Sequence, residues 1–249
     1  MEPFVFYAPP EAVNGEVIIF SKDEAHHAKN VLRLKENSQV IVVDGLGTAY
    51  RGLLSGMSGV KDVVVNVQNI VRNFGEPFVK LTLAAGFSEG YKFDSVVQQG
   101  TEVGVSAFIP VITEKSKMKI GNASKAASRT KRLERVALSS MKQCRRSFCP
   151  SIAPFMSLDE FLKSIEQSAL NLIFHPEAAG NSYNRKEETE NIRKVNVLVG
   201  PESGFSDAEV EQAVNAGFKT VTMGPRWMRA ETAAPVASAL VLGWLGELS

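Results

Sequence analysis

The chain has 249 residues, 44% of them hydrophobic and 22% charged, with a formal net charge of +1. This is the composition of a soluble enzyme, long enough for one large domain or two small ones with proper cores. No uninterrupted apolar run approaches the ~20 residues of a membrane span, and MEPFVFYAPP has no basic segment leading into an apolar one, so a cytoplasmic location is expected.

The first seventy residues read as short strands: Phe4 to Ala8, Glu16 to Phe20, Gln39 to Asp44, Ala49 to Leu54 and Val63 to Ile70. They are rich in Val and Ile and separated by turn residues such as Asn14-Gly15 and Asp44-Gly45, the pattern of a small barrel. One helix interrupts them. Ser21 with Glu24 forms a capping box that opens Asp23 to Leu34, with Ala25, Ala28, Val31 and Leu32 at helical spacing. Asn73 to Pro77 breaks the pattern, and the domains are expected as 1–72 and 73–249.

Beyond Pro77, strands alternate with helices. Strands are expected at Leu81 to Ala85, Phe108 to Ile112, Leu170 to Phe174, Val195 to Val199 and Thr220 to Met223. Helices are expected at Phe93 to Val103, Ser124 to Gln143, Leu158 to Ser168, Asp207 to Asn215 and Thr232 to Leu248, the last with an apolar stripe of Ala237, Leu240, Val241, Trp244 and Leu248. Such alternation implies an α/β fold with a mainly parallel sheet covered on both faces. The polar stretch Gly180 to Arg193 reads as an exposed loop.

Cys144 and Cys149 have neither a CxxC spacing nor a second pair, so no disulfide framework and no metal site is expected. Gly86 to Gly90 is a poor G-x-G-x-x-G, and no P-loop occurs, which disfavours a dinucleotide-binding reading. Between Lys115 and Arg146 stand eleven basic residues against one acid, Glu134. Without interspersed acids, this segment reads better as a phosphate-binding face than as a merely solvated one.

The segments GPESGFS (Gly200 to Ser206) and MGPRWMRAETAA (Met223 to Ala234) each follow a predicted strand, where glycine-proline turns let backbone approach a ligand. Preceded along the chain by HHAKNVLRL (His26 to Leu34), QQGTEVGVSAFIPVITEKS (Gln98 to Ser116) and QCRRSFCP (Gln143 to Pro150), in that order, they make the sequence resemble the RsmE family of SPOUT-superfamily methyltransferases over nearly its whole length.

The resemblance implies a PUA- or OB-like β-barrel that binds RNA, followed by a SPOUT domain whose parallel sheet holds a deep trefoil knot. It implies transfer of a methyl group from S-adenosylmethionine to N3 of a uridine in small-subunit ribosomal RNA, by a homodimer. The cofactor would be held by Phe174, His175 and Pro176, by Gly200, Pro201 and Glu202, and by Met223, Gly224, Trp227, Met228 and Thr232. Arg229 would stabilise charge developing on the uracil, and Arg33, Arg129, Arg132, Arg135, Arg145 and Arg146 would contact RNA.

Blander readings stay open beside these. Gly200-Pro201 could be only a tight turn, Arg229 a structural partner of Glu231 or Glu202, and His175 an exposed loop residue; His26 and His27 read as surface or RNA-facing. The chain departs from the family pattern at Glu2-Pro3-Phe4, where an arginine is usual. It does so again at Ser203 in place of the second glycine of GPESG, and at Gln99 and Lys115, where lysine and arginine are frequent. The alternatives are a SPOUT enzyme acting on another RNA and a non-catalytic RNA-binding assembly factor.

Overall fold

The computed structural model describes residues 3–57, 62–87, 91–116, 123–166, 169–176 and 191–248. The chain divides into two compact units, residues 1–76 with 141–149, and 77–140 with 150–249. This division departs from the one expected at residue 72, because 73–76 and the segment 141–149 pack with the N-terminal strands.

The first unit contains β1 (Phe4–Tyr7), β2 (Val13–Asn14), β3 (Val17–Ile19), α1 (Lys22–His26), β4 (Gln39–Val43), β5 (Thr48–Ser55) and β6 (Val64–Arg72). The strands form one sheet in the order β1-β4-β5-β6-β3-β2, with β1 parallel to β4 and the other pairs antiparallel. Alternation puts Val40, Val42, Leu54 and Val65 on the inner face, where they meet Phe6, Ile18 and Phe20. The helix expected from Asp23 to Leu34 is shorter and changes form. Ser21 caps α1 by accepting from the Glu24 amide at 3.2 Å. His27–Val31 then widens into a π turn, with the Leu32 amide donating to the His27 carbonyl at 2.9 Å, and left-handed Arg33 (φ 52°) ends it.

The second unit contains β7 (Lys80–Gly86), α2 (Lys92–Val103), β8 (Ala107–Ile112), α3 (Ala123–Gln143), β9 (Ser151–Ile152) and β10 (Met156–Ser157). It continues with α4 (Leu158–Ser164), β11 (Leu170–Phe174), β12 (Lys194–Val199), α5 (Asp207–Asn215), β13 (Lys219–Val221) and α6 (Ala230–Trp244). The last residues of α3, 141–143, count with the first unit. All pairs of the sheet are parallel, in the order β10-β8-β7-β12-β11-β13, with β9 beside β8.

Strands covered on both faces read as unbroken apolar runs, and Leu81, Leu83, Leu172, Ile173, Val197 and Leu198 are fully buried. Ser157 with Glu160 and Ser206 with Glu209 form complete capping boxes at α4 and α5. The final helix begins at Ala230 rather than Thr232 and stops at Trp244, past which Gly246 turns left-handed (φ 77°). The stripe expected to run to Leu248 therefore ends early, leaving Leu248 53% exposed. Beyond the helix, the Glu247 carboxylate accepts from the Phe78 and Val79 amides at 2.9 and 3.0 Å, tying the end of the chain to the start of β7.

The helix expected to reach Ser168 ends at Ser164. Residues 167–168 and residues 180–190 of the expected polar loop lie outside the described residues. Among the described residues, no helix is long and apolar enough to cross a membrane.

Candidate functional site

In a parallel sheet the carboxyl ends of the strands share one edge, and ligands sit beyond it where the strand order reverses. Here β7 leads to β8 on one side, while β12, β11 and β13 lie on the other. Three turns leaving β11, β12 and β13 enclose a recess with the start of α6. Phe174, His175 and Pro176 supply the first wall; Gly200, Pro201 and Glu202 the second; Met223, Gly224, Trp227 and Met228 the third. All ten were legible from the sequence as candidate contacts.

Thr232 is placed differently from these ten. It is exposed and outside the lining, because Ala230 and Ala233, three apart on one face of α6, are the residues turned to the recess. Val199, Gly204, Phe205 and Arg226 also line it and escaped the sequence reading. Arg229 stands at the rim in sequence but not in the lining. It is the extended residue that caps α6 (φ −66°, ψ 152°), and its carbonyl accepts the Thr232 and Ala233 amides at 2.9 and 2.8 Å. Its exposed guanidinium makes no ion pair among the described residues, so neither Glu202 nor Glu231 holds it. Glu202 is ion-paired instead with Lys92 of α2.

Packing explains the glycines. A Cβ on Gly86, at the end of β7, would lie 2.3 Å from Pro201, so the glycine-proline turn seats directly on that strand end. A Cβ on Gly200 would meet the Phe205 ring at 3.2 Å, so the turn is closely packed there as well as lining the recess. Gly204 (φ 67°) and Gly224 (φ 92°) are left-handed, and a Cβ on either would meet nothing within 4 Å, leaving open backbone. Below the turn, the Glu209 carboxylate accepts the Glu114 amide at 2.7 Å and the Lys115 ammonium donates to the Phe205 carbonyl at 3.1 Å. Ser203, the departure within GPESG, donates its hydroxyl to the Lys115 carbonyl at 3.4 Å. Glu231 Oε2 is buried without a hydrogen-bond partner.

The basic segment separates into different fates. On α3, Arg129 lies 5.2 Å over the Phe87 ring and Arg132 lies 4.3 Å over Tyr91, and both line an open recess with Arg135. Asp94 pairs with Arg132 at 2.6 Å. Hydrogen bonds to Tyr91 and then to Asp94 raise the pKa of the Arg132 guanidinium further. In the first unit, Lys142 is tied to Glu24 at 2.6 Å, Arg33 is exposed, and Arg145 is half-buried and left-handed at φ 63°. Arg146 departs from the expected RNA-facing role. It is 3% exposed and locked to Glu76 at 2.8 Å, and so is unavailable to a phosphate. His26 hydrogen-bonds Asn30 at 3.1 Å, and His27 lies edge-on to Phe6.

Two family descriptions match the chain: an RNA methyltransferase domain over residues 75–242 and an RNA methyltransferase PUA domain over residues 20–67. The ribosomal RNA small subunit methyltransferase E of Bacillus subtilis is 27% identical over 246 residues, covering 97% of this chain and 92% of its own. The protein of the same name from Buchnera aphidicola (Acyrthosiphon pisum) is 26% identical over 236 residues, covering 94% and 90%. Among solved structures, a ribosomal RNA small subunit methyltransferase E from Neisseria gonorrhoeae bound to S-adenosyl methionine superposes with a TM-score of 0.85 at 27% identity, covering 97% of this chain and 98% of that one. A putative methyltransferase of Legionella pneumophila in complex with the same cofactor gives 0.84 at 28% identity, covering 98% of each chain.

Proposed function

Because this chain belongs to the family described as the RNA methyltransferase domain, we propose that it methylates N3 of a uridine in the RNA of the small ribosomal subunit, with S-adenosylmethionine as methyl donor. The observation that carries the reading is the recess at the ends of β11, β12 and β13, apolar on its walls and edged by open backbone at Gly204 and Gly224. That is the donor set an adenosyl group and an amino-acid moiety require: apolar faces with a few convergent backbone groups. The enclosed space is about 80 Å³, below the ~300 Å³ usual for such ligands, so part of the group would lie in the open mouth of the recess. Trp227, 73% exposed, stands at that mouth.

When bound, S-adenosylmethionine supplies an electrophilic methyl on a sulfonium. The residues of the chain do the rest. Phe174, Met223, Trp227, Met228 and Ala233 form the apolar lining and exclude water, and the turns at 200–202 and 223–228 orient the donor. A uracil imide is a weak acid, and a cation beside it lowers the cost of the negative charge that develops as its proton leaves. Arg229, exposed and without an ion pair among the described residues, is assigned that role. Arg226, in the lining itself, supports a second reading in which it is the cation that faces the base. Arg129 and Arg135 on α3, with Arg33 and Arg145 in the first unit, would neutralise phosphates.

A homodimer, a cytoplasmic location and a trefoil-knotted passage of the last strand and helix belong to the same reading. Exposed Phe78 and Trp227 are apolar surface that a second copy could cover. The test supplies labelled donor and small subunits from a strain lacking the modification, and identifies the labelled nucleoside by chromatography and mass spectrometry. Label in 3-methyluridine is expected; label in a ribose or in another base refutes the assignment.

A further inference from the structure

The N-terminal unit carries a recess of its own, of about 540 Å³, which methyl transfer leaves unused. Its lining is largely apolar, from Pro3, Val40, Ile41 and Phe74, and a rim of polar side chains is set into it: Gln39 from β4, Arg51 from β5, Gln68 and Asn69 from β6, and Arg145. Two features of the backbone build it. Between Arg51 and Gly52 the pairing of β5 and β6 shifts, so that Arg51 faces Asn69, Gly52 faces Val67, and Gln68 is left over as a bulge. A bulge re-aims side chains that would otherwise alternate, and Gln68, Asn69 and Ile70 are all exposed in succession. Gly52 fixes the place of the shift, because a Cβ there would lie 2.3 Å from the Asn66 carbonyl oxygen.

The second feature is a strained arginine held by a buried clamp. Arg145 adopts φ 63°, a conformation that non-glycine residues keep only where the surroundings enforce it. Glu76 enforces it: its carboxylate accepts the Arg146 guanidinium and the Ser147 and Phe148 amides, the last two at 2.8 Å each. Ser147 also donates its hydroxyl to the Phe74 carbonyl at 2.9 Å. The clamp thus fixes Phe74 and Arg145 together at the recess.

We propose that this recess binds one unstacked nucleotide of the substrate RNA, other than the uridine that is methylated. The Arg51 guanidinium lies 5.7 Å over the Phe74 ring, a cation and an aromatic face of the kind on which bases stack. The amides of Gln39, Gln68 and Asn69 make no side-chain hydrogen bond among the described residues, and each offers both donors and an acceptor to a base edge. Arg145 supplies charge for a phosphate. A base held in a duplex is stacked on its neighbours and cannot also stack on a side chain, so the occupant is a loop or bulge nucleotide. This assignment rests on the RNA-directed function proposed above.

The experiment compares the full chain with the Gln68→Ala/Asn69→Ala double variant, Arg51→Ala and Gln39→Ala. The expected result is a rise in KM for small subunits of about tenfold, the size of one lost stacked or base-reading contact, with kcat and donor affinity within twofold. A benzophenone side chain installed at Gln68 is expected to crosslink to a nucleotide that is not the methylated uridine. Unchanged KM overturns the proposal, as does a KM change confined to variants with a lowered melting temperature. Crosslinking abolished by millimolar free nucleoside monophosphate, with no RNA adduct, assigns the recess to a free nucleotide and also overturns it. Should the full chain bind small subunits without methylating them, the proposed reaction falls alone; the same variants compared by binding affinity then decide the recess, with a tenfold loss supporting it and no loss refuting it.

Discussion

Replacing Arg146 with alanine tests the claim that one arginine of the basic segment is structural. Its side chain and that of Glu76 are 3% and 2% exposed, with Nη2 and Nε reaching one carboxylate oxygen at 2.8 and 3.2 Å. The variant leaves a carboxylate buried with only the Ser147 and Phe148 amides to answer it. Breaking a buried pair from one side costs about 3–5 kcal/mol. The two remaining amides solvate part of the charge, which puts the expected loss near the low end, about 3 kcal/mol. For a unit of this size that corresponds to a fall in melting temperature of about 12 °C or more. Urea and thermal unfolding followed by circular dichroism measure it. Replacing both partners, Glu76→Leu with Arg146→Met, is expected to cost less than Arg146→Ala alone, since no orphaned charge remains. A stability loss under about 1 kcal/mol, accompanied by a flatter salt dependence of RNA binding, would refute this reasoning and return Arg146 to the RNA.

Ala233→Leu is expected to abolish donor binding in calorimetry while leaving the melting temperature within a few degrees, since the position opens on the recess and leucine is a good helix former. Arg229→Ala is expected to lower turnover about 100-fold or more with donor affinity nearly unchanged; if Arg226→Ala shows that behaviour and Arg229→Ala does not, the two roles exchange. Arg129→Ala and Arg135→Ala are each expected to reduce the logarithmic salt slope of RNA binding by about 0.7 to 0.9, and an unchanged slope makes α3 a solvated face. Backbone and then side-chain hydrogen bonding from Ser157 holds the Glu160 carboxyl below its ordinary pKa. The capping box therefore contributes fully above the unfolded carboxyl value, about 4.3, and loses its contribution as pH falls through the folded value. Melting curves of Glu160→Gln are expected to lack that acid-side component.

Local signals predicted local structure well. Strand β11 and helix α5 fall on the residues expected, because a five-residue stretch with four apolar residues and a Ser-x-x-Glu cap each carry their own boundary. Boundaries set by geometry farther away were less legible. The stretch from Asp23 to Leu34 has helical spacing throughout, yet it widens at His27 and ends at a left-handed Arg33. Strands β9 and β10 are two residues each and exist only because β8 offers them a neighbour. No window of sequence contains that information.

At the site the same division has a chemical consequence. Glycines and prolines after a strand announce a turn, so the walls at 200–202 and 223–224 were readable. Ala230 and Ala233 are ordinary helix residues until α6 is laid against the turns, and only then does their smallness become room for a ligand. Arginines are the harder case, because a guanidinium is the same charge whether it meets a phosphate or a carboxylate. Arg145 and Arg146 are adjacent in sequence and indistinguishable by composition. One lines a recess in a strained backbone, while its neighbour is consumed by Glu76, seventy positions earlier in the chain. A carboxylate brought close by the fold decides between them, and that is why counting charge along a segment overstates its capacity for RNA.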